Sequence, residues 1–172
     1  MAAAKHAIEQ NTDSALVITR IFDAPRETVF KAFSEPERMM RWWGPKDFTC
    51  PVCQIDFHIG GVYFNCMRSP EGKDYWSRGV YLEITEPQRI VCTDTFADEN
   101  GNTVSPQQYG MSAGWPAEAM ITLTFDEQGG KTKFTLRHSP IKPGKERDMC
   151  QQGWNESLDK LADYLAEAIL EE

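Results

Sequence analysis

Between residues 49 and 138 all but one of the connections between apolar stretches are short, and this constrains the fold more than any other feature. Gly60-Gly61, Pro70-Glu71-Gly72, Glu86-Pro87 and Gln128-Gly129-Gly130 are turn signals: glycine supplies positive φ and proline presets a bend. Connections this tight cannot carry crossover helices, so the stretches they separate pair antiparallel, as a meander. Six strands are predicted, near 49–58, 62–68, 75–84, 88–96, 118–126 and 131–138. Alternation assigns faces. Trp76, Val80, Leu82 and Ile84 share one, Ala119, Ile121, Leu123 and Phe125 another, and Phe134, Leu136 and His138 a third.

A seventh strand is expected over residues 15–22, Ala-Leu-Val-Ile-Thr-Arg-Ile-Phe, which are rich in β-branched side chains. Pro25 suits the first position of a following helix, with Val29, Phe30 and Phe33 at helical spacing. Ser34-Glu35-Pro36-Glu37 reads as a capping box opening a second short helix, and Gly44-Pro45 stops the chain after Trp42 and Trp43. The chain closes with a helix from about 144 to 170, whose stripe of Cys150, Trp154, Leu158, Leu161, Leu165 and Ile169 suits the apolar face of the sheet. The long connection, 97–117, is polar but carries Tyr109, Met111 and Trp115. Loops of that length are uncommon unless functional, and this one is expected to lie as a lid over one mouth of the interior. The resulting division is an N-terminal tail over 1–14 and a single domain over 15–170.

Composition removes several function classes. With 18 Lys and Arg against 26 Asp and Glu, the net charge of −8 leaves no basic surface to follow a phosphate backbone, so nucleic acid is not an expected partner. Neither a signal peptide nor a bilayer span is found, and a cytoplasmic location with no membrane insertion is expected. Five cysteines at uneven spacing make a poor disulfide framework. Cys50-Pro51-Val52-Cys53 has no second ligand pair to complete a zinc site and no helix N-terminus to activate a thiol, so reduced, metal-free cysteines are expected.

Particular motifs carry a family resemblance: Thr19-Arg20-Ile21-Phe22-Asp23-Ala24-Pro25, Trp42-Trp43-Gly44-Pro45, Asp56-Phe57-His58-Ile59-Gly60-Gly61, Gly79-Val80-Tyr81-Leu82-Glu83-Ile84, and Gly153-Trp154 followed by Ser157-Leu158 and Leu161. Together they resemble the family named for the activator of the heat-shock chaperone ATPase (AHSA-like), within the START-related (SRPBCC) superfamily, over residues 15–168. The resemblance implies an α+β helix-grip fold: a curved antiparallel sheet wrapped around the C-terminal helix, two short helices after the first strand, and a cavity between sheet and helix. It supplies no universal catalytic residue, cofactor or metal.

A binding module for an apolar or amphipathic small molecule is the leading expectation. Trp43, Tyr63, Asn65, Trp76, Arg78, Tyr109, Met111 and Trp154 are the expected lining, with Arg78 and Asn65 offering donors among aromatic walls. Gly153, costly inside a helix, suggests a close approach or vacant space beside Trp154. A cyclase-like or hydrolase-like enzyme using His138, Arg78 and Asp94 is the alternative. A chaperone-associated interaction domain is the second, and whether the chain forms a homodimer stays open.

Overall fold

A computed structural model describes residues 14–171, the side chain of Glu171 excepted. Residues 1–13 of the expected tail lie outside the described residues. Strand β1 (Leu16–Phe22) is followed by helix α1 (Arg26–Ser34) and the short α2 (Pro36–Met39). Strands β2 (Thr49–Ile55), β3 (Val62–Arg68), β4 (Asp74–Thr85), β5 (Arg89–Ala97), β6 (Ala119–Gln128) and β7 (Lys131–Ser139) form the meander, and helix α3 (Lys145–Glu171) ends the chain. The seven strands make one curved antiparallel sheet in the order β1-β7-β6-β5-β4-β3-β2, with β1 completing the far edge beside β7. This is the helix-grip α+β architecture the motifs imply.

The concave face of the sheet is apolar because β6 and β7 alternate as expected. Ile121, Leu123, Phe125, Phe134 and Leu136 are buried, and α1 and α3 are laid upon them. The Phe33 ring stacks on Phe134 at 5.3 Å and the Phe30 ring meets Phe125 edge-on at 5.3 Å, pinning α1 to the sheet. Leu158, Leu161 and Leu165 seat the C-terminal half of α3.

Outside β4, local expectations are corrected in four places. Strand β2 stops at Ile55, because residues 56–61 turn so tightly that a Cβ on Gly61 would lie 2.0 Å from the Asp56 carbonyl. Helix α1 starts at Arg26: Pro25, at φ −61° and ψ 147°, is the extended residue before it. The expected capping box does not form. Glu35 occupies the cap of α2 without a side-chain bond, and its carboxylate instead accepts from Arg38 Nε at 2.8 Å. The stripe of α3 drifts as well, so that Ala168 is buried and Ile169 is exposed.

The most consequential correction lies in β4. Its register against β5 slips between Tyr81 and Glu83, so Ile84 packs on the core while Trp76, Arg78 and Val80 belong to the opposite face from Gly79 and Tyr81. Leu82 is exposed. A bulge of this kind inserts an extra residue and reverses the alternation beyond it.

Candidate functional site

Inward-facing residues of neighbouring strands meet across the antiparallel register. Asn65 of β3 lies opposite Ser77 of β4, Tyr63 opposite Gly79, and Ile121 of β6 opposite His138 of β7. Against this part of the sheet the first half of α3 presents Met149, Cys150, Gly153, Trp154 and Ser157 where the second half presents leucines. A cavity of about 260 Å³ remains between them, and a deeper extension of about 40 Å³ shares the walls Trp43, Tyr63, Ile121 and Trp154. Its volume exceeds the ~150 Å³ of an engineered void that accepts benzene.

Two devices hold the void open. A Cβ on Gly153 would meet only the Pro45 ring outside its own helix, at 3.5 Å. Pro45 is itself fixed by Lys160, whose ammonium donates to the carbonyls of Gly44, Pro45 and Phe48 at 3.0, 3.2 and 3.0 Å. Because that contact at Gly153 is ordinary, Gly153→Ala is expected to raise stability by about 0.5 to 1 kcal/mol, the helix-propensity difference, in a denaturant titration. A loss would mean that the helix lies closer to residues 44–48.

The polar end of the cavity is a connected set. The Tyr63 hydroxyl donates to Asp94 Oδ1 at 2.9 Å, and Asp94 Oδ2 lies 3.2 Å from His138 Nε2 in an approach not yet aligned as a hydrogen bond. On the other side of the ring the Trp154 indole N–H donates to His138 Nδ1 at 3.2 Å, and Cys150 Sγ lies 3.9 Å from the same nitrogen. An indole donor requires a lone pair, so in the neutral ring this contact selects the tautomer with hydrogen on Nε2, facing Asp94. Desolvation works to lower the basicity of His138, but Asp94 and Cys150 outweigh it and push the ring up to about 9. Burial and the Asp94 charge push the Tyr63 hydroxyl well above its ordinary value, so it remains a donor.

Among the residues expected to line the site, Trp43, Tyr63 and Trp154 stand in the main wall and Asn65 in the deeper extension. Asn65 accepts from the Ser77 hydroxyl at 2.9 Å. Trp76 and Arg78 belong to the other side of the sheet, where Trp76 stacks on Phe64 at 5.1 Å and Arg78 Nη1 donates to the Gly101 carbonyl at 2.9 Å. Tyr109 stands one layer behind the wall, stacked on Phe96 at 4.9 Å, and Met111 does not reach the cavity. From the long connection it is Trp115 and Pro116 that face inward. Ser77 and Cys150 were not expected in the lining. Ser77 follows from the β3 pattern carried across the register, and Cys150 lies one helical turn before Trp154.

Elsewhere, Cys50 and Cys53 share strand β2 in mutual hydrogen-bond contact, which lowers the Cys50 thiol and, with burial, raises that of Cys53. Among the described residues no three His, Cys, Asp or Glu side chains gather as a metal site, and no helix is long and apolar enough to cross a membrane.

The family model described as Activator of Hsp90 ATPase homolog 1-like protein matches residues 23–166. Solved structures agree. A protein from Chromobacterium violaceum is 27% identical with a TM-score of 0.74, over 88% of this chain and 96% of its own. The AHSA1 protein of Silicibacter pomeroyi is 25% identical with a TM-score of 0.70, over 92% and 99%. A protein from Nitrosomonas europaea, 21% identical, superposes with a TM-score of 0.74 over 93% and 99% and shares the fold. The comparison with curated proteins finds no match.

Proposed function

This chain belongs to the family described as Activator of Hsp90 ATPase homolog 1-like protein, and within it we propose that the domain binds one small, mostly apolar molecule between the sheet and the C-terminal helix. The observation that carries this reading is a void of about 260 Å³ with Trp43, Phe96, Trp115, Ile121 and Trp154 among its walls and the Tyr63, Asp94 and His138 set at one end. Apolar walls with a few convergent polar groups are the usual composition of a small-molecule site. A one-ring or two-ring compound fits wholly inside, while a larger dye lodges in part and projects through the open mouth.

The polar end also narrows the ligand. Arg78 is engaged with Gly101 on the far side of the sheet and anchors no anion here. A ligand carboxylate would instead meet the Asp94 carboxylate. The favoured ligand is therefore neutral and carries a hydroxyl that donates to Asp94, because His138 turns one ring nitrogen to Asp94 and the other to α3, and a carboxylate beside Asp94 brings like charges together at a cost of several kcal/mol.

Nile red should bind the purified protein, 2-naphthol should displace it, and 2-naphthoate should displace it far less well. In Gly153→Leu the added side chain occupies the void, and dye affinity should fall at least about tenfold, or 1.4 kcal/mol, with the fold intact. Absence of dye binding, or equal affinity in Gly153→Leu, would remove the proposal.

Residues 97–117 serve on this reading as a lid. Ser112 ties the segment to the first turn of α3, its amide donating to Glu146 Oε2 at 2.8 Å and its hydroxyl to Oε1 at 2.6 Å. Glu146→Gln should speed amide exchange over 110–117 in the free protein, and bound naphthol should slow it. Exchange unchanged by either would make the segment a static part of the wall.

A further inference from the structure

Three groups at the polar end stand in an order that binding alone does not use. Cys150 Sγ is 3.9 Å from His138 Nδ1, and His138 Nε2 is 3.2 Å from Asp94 Oδ2. Thiol, imidazole and carboxylate thus follow one another, supplied by α3, β7 and β5, with Cys150 in the cavity wall. We propose that Cys150 is a nucleophilic thiol, with His138 as its base and Asp94 as the group that positions the ring, and that it adds to apolar α,β-unsaturated carbonyl compounds entering the cavity. The enone part of this inference rests on the cavity reading above.

The arrangement meets the requirements of an activated nucleophile. A base within reach of the nucleophile, oriented in turn by a third group, is the general constellation for covalent catalysis, and such contacts are often long before a substrate is bound. His138 is buried and Asp94 accepts from Tyr63, so neither can easily turn away. In the neutral ring the Trp154 indole holds the Nδ1 lone pair toward α3. The other cysteines differ. Cys92 and Cys66 are buried, with thiols pushed up by desolvation, and Cys50 and Cys53 are paired with each other away from the cavity wall.

The step is balanced without any co-reactant. Because Asp94 and Cys150 push the ring up to about 9, the thiol proton already sits on His138 Nδ1 below that pH, and the electron pair of the thiolate left beside it forms the S–C bond at the β-carbon. The C=C pair shifts toward the carbonyl to give an enolate, whose α-carbon then takes the proton back from Nδ1. Once protonated, Nδ1 can no longer accept from Trp154, which leaves the indole N–H free to donate to the developing enolate oxygen. Nothing is oxidised or reduced. The charges and dipoles facing the ring are those of Asp94 from β5, Cys150 and Trp154 from α3, and Tyr63 from β3 through Asp94.

The test uses the full chain and two reagents. Iodoacetamide, small enough to need no binding site, should label Cys150 before the other four cysteines at pH 6.5, as read by peptide mass mapping. The rate should fall at least about tenfold in His138→Gln or Asp94→Asn, within the range of a lost general base. Wild-type labelling should stay appreciable below pH 7, whereas an ordinary thiol, with a pKa near 8.5, loses reactivity tenfold per pH unit there; this profile needs no variant to fold. 4-Phenyl-3-buten-2-one should then add one equivalent at Cys150, and Cys150→Ser should abolish the adduct while still releasing Nile red to the saturated 4-phenylbutan-2-one. Equal labelling of Cys150 and Cys53 with an ordinary thiol profile overturns the proposal, even if the dye binds. Fast iodoacetamide labelling without dye displacement by either the saturated ketone or 2-naphthol upholds the activated thiol and sinks the cavity reading instead.

Discussion

Replacing Gly79 by alanine should destabilise the domain by about 3 kcal/mol or more, at or above the upper end of the usual range for overpacking. A Cβ at this position would lie 1.9 Å from the Thr93 carbonyl oxygen and 2.3 Å from Tyr63 Cε1. One obstacle is backbone in a paired strand, so it cannot swing aside as a flexible side chain would. The other is held by its hydroxyl, which reaches the Thr93 carbonyl at 3.0 Å and Asp94 at 2.9 Å. If Tyr63 moves to make room, Asp94 loses a donor and the polar end of the cavity loses its order. Gly79→Ala should therefore also abolish Nile red binding at temperatures where the variant is still folded. Urea titration gives the stability change, and a loss below about 1 kcal/mol would show that β4 and β5 do not cross as closely as described.

Gly79 also illustrates what was legible in the sequence. Turn residues placed the ends of β3, β4, β5, β6 and β7 within about two residues, because tight connections leave little freedom in where a strand must stop. Alternation in β7 put His138 on the inward face correctly, since nothing interrupts its pairing with β6. In β4 the same reasoning chose the face of Trp76 over that of Gly79. Size favours tryptophan as a core residue, yet here the crowded inner side needs a residue with no side chain, and a register slip between Tyr81 and Glu83 lets Ile84 rejoin the core. Arg78, two residues on from Trp76, lies on the outward face for the same reason. The closeness of His138 and Cys150 could not be read at all. It depends on how the chain bends between β7 and α3, and no periodicity extends through that bend. Trp115 sits in an irregular stretch where alternation has no meaning, so composition alone pointed to it.

Trp42→Ala should cost about 3 to 5 kcal/mol, the range for truncating a fully buried large aromatic, and the local geometry argues for the upper part. Trp42 is completely buried, edge-on to Phe33 at 4.8 Å and to Trp43 at 5.5 Å. Its indole N–H donates to the Ala32 carbonyl at 3.1 Å. That carbonyl lies in the last turn of α1, and the residue four positions on, from which a helical hydrogen bond would come, is Pro36, which has no N–H to give. The indole replaces the missing donor, so removing it leaves a buried acceptor unpaired, a penalty of about 1 to 3 kcal/mol. Trp42→Phe keeps most of the ring packing and removes only the donor, and its loss should fall in that smaller range. Equal losses for the two variants would mean that the hydrogen bond, not the packing, dominates. The effect should extend beyond stability, because Trp42 supports Trp43, and Trp43 meets Trp154 edge-on at 5.3 Å in the cavity wall. Trp42→Phe should thus leave Nile red affinity within about threefold of wild type, while Trp42→Ala, if it remains folded, should weaken it by tenfold or more as Trp43 loses its backing.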